Sequence, residues 1–111
     1  MNTPTTTAFE QHFAGAKIET EPGQGYLGTG QTVYKVRWTW KGTDRSDGGA
    51  ISCGFGPSGL KMAQRLLPAI ESGKLFDELA VRTDVNGLTY VAGWPRVMGR
   101  HLNANLKRAG F

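Results

Sequence analysis

Residues Gln31–Lys41 read QTVYKVRWTWK. Tyr34, Val36, Trp38 and Trp40 alternate with Lys35, Arg37, Thr39 and Lys41. A period of two sends successive side chains to opposite faces of an extended chain, so the stretch predicts a β-strand with one apolar and one wet face. The aromatic row needs cover, and the flanking segments are read for what supplies it. Gly42–Gly49 is polar and Gly-rich, a turn region. Ala50–Phe55 predicts a second short strand, the hairpin partner of the first. Cys53 alternates there with Ile51 and Phe55, which predicts a buried, inert thiol.

Downstream the period changes. Leu60, Ala63, Leu67 and Ile70 stand at i, i+3, i+7 and i+10, the apolar stripe of a helix over Pro57–Ser72. Gly56 or Ser58 can cap its start and Pro57 suits the first turn. Pro68 removes a backbone donor, which predicts a kink or break. Gly73 is the expected stop. Leu79–Thr83 and Leu88–Gly93 flank Asp84-Val85-Asn86-Gly87, where Asn-Gly supplies the positive φ of a tight hairpin. A last helix is predicted from Val97 to Ala109, with Met98, Leu102, Leu106 and Ala109 as its stripe and Gly110 as its stop.

The order is strand, strand, helix, repeated once, a weak internal duplication or two solutions to one packing problem. The predicted fold is α+β: a mostly antiparallel four-stranded sheet with both helices on one face. Residues 32–111 form this single domain. Residues 1–31 precede it as a flexible arm and Gly-rich loop, with a short helix at Ala8–Ala14, where Phe9 and Phe13 share a face, and an extended stretch at Ala16–Glu21.

The chain has 111 residues, which fits one domain with one modest core. A single cysteine excludes an intramolecular disulfide, and no apolar run spans a bilayer. The polar, Thr-rich Met1–Thr7 lacks the basic and apolar regions of a signal peptide, so the expected location is the cytoplasm.

Motifs for chemistry are weak. Gly54-Phe55-Gly56-Pro57-Ser58-Gly59 matches GxGxxG between a strand and a helix, yet an Asn-Gly hairpin follows where a parallel βαβ unit is required. Its helix start retains the capacity to hold one phosphate. Ser58-Gly59-Leu60-Lys61 matches SxxK without the companion motifs of penicillin-recognising enzymes. Cys53, His12 and His101 lack metal-ligand spacing, and the acid pairs Asp44/Asp47 and Asp77/Glu78 stand beside no tuning His or Lys. The reading is therefore a non-enzymatic protein with no metal and no cofactor.

Charge is more informative. Lys and Arg number 13 against 9 Asp and Glu, and no acid follows Asp84, so Arg96, Arg100, Lys107 and Arg108 supply the whole net +4. A one-sided basic end is a candidate footprint of an anionic partner. Two surfaces qualify. One is the wet face of the first strand, with Lys35, Arg37 and Lys41, since a β-surface can enter a major groove. The other is the polar side of the last helix, with Arg100, Asn103, Lys107 and Arg108, because Arg and Asn suit guanine and adenine edges. Each has a plain counter-reading: antiparallel sheets carry cations on solvated faces, and cations in a last turn favour the helix dipole. Trp38 and Trp40 share the core parity and read as packing.

The stretch Asp47–Phe111 resembles small accessory proteins of actinobacterial phages, mycobacteriophages especially. The resembling pieces are Gly49-Ala50-Ile51, Gly56-Pro57-Ser58-Gly59-Leu60-Lys61, Arg82-Thr83-Asp84-Val85-Asn86-Gly87, Arg96-Val97-Met98-Gly99-Arg100, Leu102-Asn103-Ala104 and Lys107-Arg108-Ala109-Gly110-Phe111. The resemblance implies a phage accessory protein acting inside a bacterial host and transfers no catalytic or binding residue. The expected partner is nucleic acid, DNA first, with a bacterial host protein as the alternative and self-association as a third; no membrane is involved.

Overall fold

The computed structural model describes residues 4–22, 32–44, 48–76, 78–96 and 102–111. In chain order the elements are α1 (Pro4–His12), β1 (Phe13–Pro22), β2 (Thr32–Trp40), β3 (Gly49–Phe55), α2 (Gly56–Ser72), β4 (Ala80–Thr83), β5 (Thr89–Ala92) and α3 (Leu102–Arg108).

The expected alternation of β2 is present. Val36 and Trp38 are fully buried, while Lys35, Arg37 and Thr39 lie on the other face. α2 packs on the buried face through Gly59, Ala63, Leu66, Ala69 and Ile70, forming one core with Val36, Trp38 and Ile51. The class is α+β and every described strand pair is antiparallel, but one four-stranded sheet is not what forms. The strands make a three-stranded sheet in the order β1-β2-β3 and a separate two-stranded sheet, β4-β5. The outer edge of β2 is taken by β1, with Ile18 opposite Val36 and Ala16 opposite Trp38. The second hairpin is therefore left to dock by other means. Asp44, just after β2, donates its N–H to the Thr89 carbonyl (2.9 Å) and accepts the Thr89 N–H on Oδ2 (2.9 Å), which ties β5 to the first sheet.

Residues 8–22 thus lie against the core, through Ala8, Phe9, Phe13, Ala16 and Ile18. α1 starts at Pro4, four residues ahead of the expected Ala8, and Phe13 and Ala14 already belong to β1. Ala8 is buried, and the Phe9 ring lies 4.6 Å from Phe13 and 5.5 Å from Phe76. The junction is closed by the Lys41 N–H on the His12 carbonyl (2.7 Å) and by His12 Nδ1 against the Lys41 carbonyl (3.0 Å).

Several local expectations need revision. A β-bulge shifts the register where Tyr34 and Lys35 face Gly54 and Ser52. One extra residue reverses parity beyond it, so Cys53 is only half-buried and Phe55 points to solvent. α2 runs unbroken through Pro68. Pro68 and Gln64, the residue whose carbonyl loses its partner, both lie on the exposed side of α2, and packing of Ala69 and Ile70 holds the helix. The N-cap is the extended Phe55, with no side-chain cap from Ser58, while Pro57 does occupy the first turn. Gly73 ends α2 at φ 76°, as expected; a Cβ there would also meet the Phe9 ring at 2.7 Å.

The second hairpin keeps its place with a different turn. Among the described residues none but glycine has positive φ, so Asn86 does not take the left-handed conformation and Gly87 does. Gly87 N–H bonds the Asp84 carbonyl (3.0 Å), giving a three-residue loop with a glycine bulge. Asp84 Oδ1 accepts the N–H groups of Asn86 (2.8 Å) and Leu88 (3.0 Å), fixing that loop. At the chain end, Phe111 N–H bonds the Leu106 carbonyl (2.8 Å) and Gly110 N–H that of Lys107 (3.1 Å), a Schellman close with Gly110 at φ 91°. The expected first turn of the last helix, residues 97–101, lies outside the described residues.

Candidate nucleic-acid interface

The cationic face of β2 is built by cross-strand pairing with β1. Lys17, Glu19 and Glu21 line up beside Arg37, Lys35 and Val33. Arg37 Nε bonds Glu19 Oε1 (2.5 Å) and Lys35 Nζ bonds Glu21 Oε2 (3.0 Å), each one step diagonal to the register. Lys17 stands 3.7 Å from the same Glu19 carboxylate. The guanidinium of Arg37, hydrogen-bonded to Glu19, holds its carboxyl below the usual 4.5. The two β2 cations that seemed to make a patch are therefore already paired with acids of their own sheet. Lys41 is exposed at the strand's end, beyond this ladder. A shallow groove of about 280 Å³ lies where the β1–β2 register shifts between Phe13 and Gly15, lined by Gly15, Ala16, Lys17, Arg37 and Thr39.

The opposite end of the molecule is organised differently. α3 is held by buried Leu102 and Leu106 and by Arg65 of α2. Arg65 Nε donates to the Phe111 carbonyl (2.6 Å), and its guanidinium also donates to Asn103 Oδ1 and to the Asn103 carbonyl (3.5 Å). Asn103 is thus engaged in clamping α3 to α2, and Arg65 also ties down the chain end at Phe111. Lys107 and Arg108 are exposed in the last turn. Arg100 lies outside the described residues.

Beside Arg108 the structure brings in partners that sequence spacing does not connect. A pocket of about 110 Å³ is lined by Lys74, Leu75, Arg96, Asn105, Arg108 and Ala109. Three cations from three segments meet there, with buried Leu75 among its walls. No carboxylate stands among the described residues that line it. Lys74 follows the Gly73 cap, in a turn tied by Lys74 N–H to Ser72 Oγ (3.1 Å) and Ser72 Oγ to the Ala69 carbonyl (2.7 Å). Arg96 is positioned by its N–H on the Leu75 carbonyl (2.8 Å). Lys74 Nζ also lies 5.7 Å from the centre of the Phe111 ring. Arg96 was visible in the sequence as part of the acid-free end. Lys74 was not, because it sits in the charge-balanced part of the chain.

Compared with protein-family models, curated proteins and solved structures, the chain matches none. The site is judged by its own chemistry. Among the described residues no group of three His, Cys, Asp or Glu is placed to hold a metal ion. No described helix is long and apolar enough to cross a membrane. The glycines of the GxGxxG match serve backbone geometry: Gly54 and Gly56 have φ 98° and 69°, and a Cβ on Gly59 would stand 2.5 Å from the Gly54 carbonyl oxygen. Asp44, read as one of an acid pair, is the link to Thr89; Asp47, Asp77 and His101 lie outside the described residues.

Proposed function

We propose that this chain is a small non-enzymatic nucleic-acid-binding accessory protein, phage-encoded and acting in the bacterial cytoplasm, which holds phosphates with the cations around α3. The observation that carries the reading is the convergence of Lys74, Arg96 and Arg108 on one pocket, with Lys107 exposed in the same last turn of α3 as Arg108. The backbone at Lys74 and Arg96 is fixed by hydrogen bonds, so these segments need not be ordered on meeting a phosphate. Lys35 and Arg37 are the weaker candidates, since a phosphate must displace Glu21 and Glu19 to reach them. The resemblance of residues 47–111 to phage accessory proteins supports the setting and includes Arg96 and the closing Lys107–Phe111.

The test is a titration of duplex and single-stranded DNA and of RNA across salt. Each phosphate neutralised on a duplex contributes about 0.9 to the slope of log K against log salt. The expected outcome is a marked salt slope that falls with Lys107→Glu and Arg108→Glu, and responds less to Lys35→Glu and Arg37→Glu. Failure to bind any nucleic acid at low ionic strength sinks the reading.

A specific observation keeps one alternative, a module that engages a bacterial host protein. Val81, Leu88 and Trp94 are exposed, and Val85 at the hairpin tip is 100% exposed. A nuclease-resistant, stoichiometric host partner that is lost on Val85→Asp would favour it over nucleic acid.

A further inference from the structure

We infer that the pocket between the end of α2 and α3 is a receptor for a phosphate monoester, and, resting on the nucleic-acid reading above, that its source is the phosphorylated end of a strand.

Size comes first. Pockets for whole small molecules run from about 300 Å³ upward. At about 110 Å³ this one admits a single polyatomic group and no nucleoside with it. The group must then be presented on something larger that stays outside, as a chain terminus is.

Charge selects among such groups. An internal phosphodiester carries one negative charge, and so does a carboxylate. A phosphate monoester carries about 1.5 to 2 negative charges near neutral pH and offers three acceptor oxygens. Lys74, Arg96 and Arg108 line the pocket together, with the Asn105 amide as a further donor. Arg supplies a planar fork that takes two oxygens at once, and Lys supplies a compact point charge. Lys74 and Arg108, two cations beside one small volume, match the doubly charged group better than the singly charged ones.

Pre-organisation completes the case. Lys74 and Arg96 come from segments fixed by the hydrogen bonds to Ser72 and Leu75, and Asn105 and Arg108 sit at i and i+3 on one side of α3. The backbone that carries these side chains is set before any ligand arrives.

The experiment compares one oligonucleotide sequence with a 5′-phosphate, a 3′-phosphate or hydroxyl ends, by fluorescence anisotropy at fixed salt. In parallel, inorganic phosphate is titrated while the backbone amides of Leu75, Arg96 and Arg108 are followed by NMR. One phosphorylated end is expected to bind about tenfold tighter than the hydroxyl-ended strand, the scale of one charge-assisted hydrogen bond. That advantage should vanish in Lys74→Gln and in Arg108→Gln, both at exposed positions, with the melting temperature unchanged. Equal binding of all three oligonucleotides overturns the inference and leaves nucleic-acid binding standing. If no oligonucleotide binds, yet inorganic phosphate shifts those amides saturably and the shift is lost in Arg108→Gln, the monoester pocket stands and the strand end falls. No response to either overturns both. A phosphoserine peptide that binds tighter than every phosphorylated oligonucleotide overturns the strand-end source.

Discussion

Replacing Gly49 by alanine tests the centre of the fold with one methyl group. Gly49 is absent from the positive-φ glycines, so alanine meets no backbone strain and the effect is steric alone. Its Cβ would stand 2.5 Å from Trp38 Cζ2, 2.9 Å from Cη2 and 3.0 Å from Cε2. Carbon atoms prefer about 3.5–4.0 Å, so the indole must move by about 1 Å or more. Trp38 is 1% exposed and has little room. Phe76 meets it edge-on at 5.9 Å and Trp94 at 5.5 Å. Trp94 is 58% exposed and is the neighbour able to give way. The cost then falls in the ordinary range for overpacking, about 1–3 kcal/mol. For a domain near this size each kcal/mol lowers Tm by roughly 4 °C or more. Thermal and urea unfolding read the loss, and near-ultraviolet circular dichroism reads the displaced indole. A double-mutant cycle with Trp38→Phe, which deletes Cζ2 and Cη2, should show a coupling of at least about 0.5 kcal/mol. A Tm within about 1 °C of the parent, or additive effects in the cycle, would refute the packing of Trp38 on Gly49.

Leu106→Ala should cost about 2–5 kcal/mol, because Leu106 is the fully buried anchor of α3; chemical denaturation showing less than about 1 kcal/mol would mean that α3 is not docked there. Glu19 gives a pH signature. Its folded carboxyl is held below 4.5 by Arg37, so its contribution is present above the unfolded value and is lost as pH falls through the folded one. Glu19→Gln should therefore lower Tm at neutral pH, with the difference from the parent closing in acid; a constant offset at all pH would contradict the pairing. Burial pushes the Cys53 thiol up to about 11, partly offset by a hydrogen bond from the Val36 backbone. Alkylation in mild base should run about a hundredfold slower than for a free thiol and become ordinary in urea.

Where the sequence was legible, the cause was local. The alternation in Gln31–Lys41 marks β2, the stripe through Ala63 and Ile70 marks α2, and Gly73 and Gly110 stop their helices because a left-handed residue there is cheapest as glycine. β1 was read only as an extended stretch, because a partly exposed edge strand with Lys17, Glu19 and Glu21 on its outer face shows little apolar contrast. The bulge in β3 left no mark either. It changes the facing of Phe55 through one unpaired residue, which no side-chain type announces. Asn103 was read as an outward polar residue; its partner Arg65 lies 38 residues away, on another helix.

By itself the sequence determined the α+β class, the central amphipathic strand, the long helix, the second hairpin and the excess of positive charge after Asp84. These follow from periodicity, turn chemistry and counting, which act over a few residues. Tertiary structure alone decided that the strands divide three and two, that Glu19 and Glu21 pair with Arg37 and Lys35, and that Lys74 joins Arg96 and Arg108 around one pocket. The reason is physical: the strength of a charge at a surface depends on which other charges lie within a few ångströms. That distance is set by packing of elements remote in the chain.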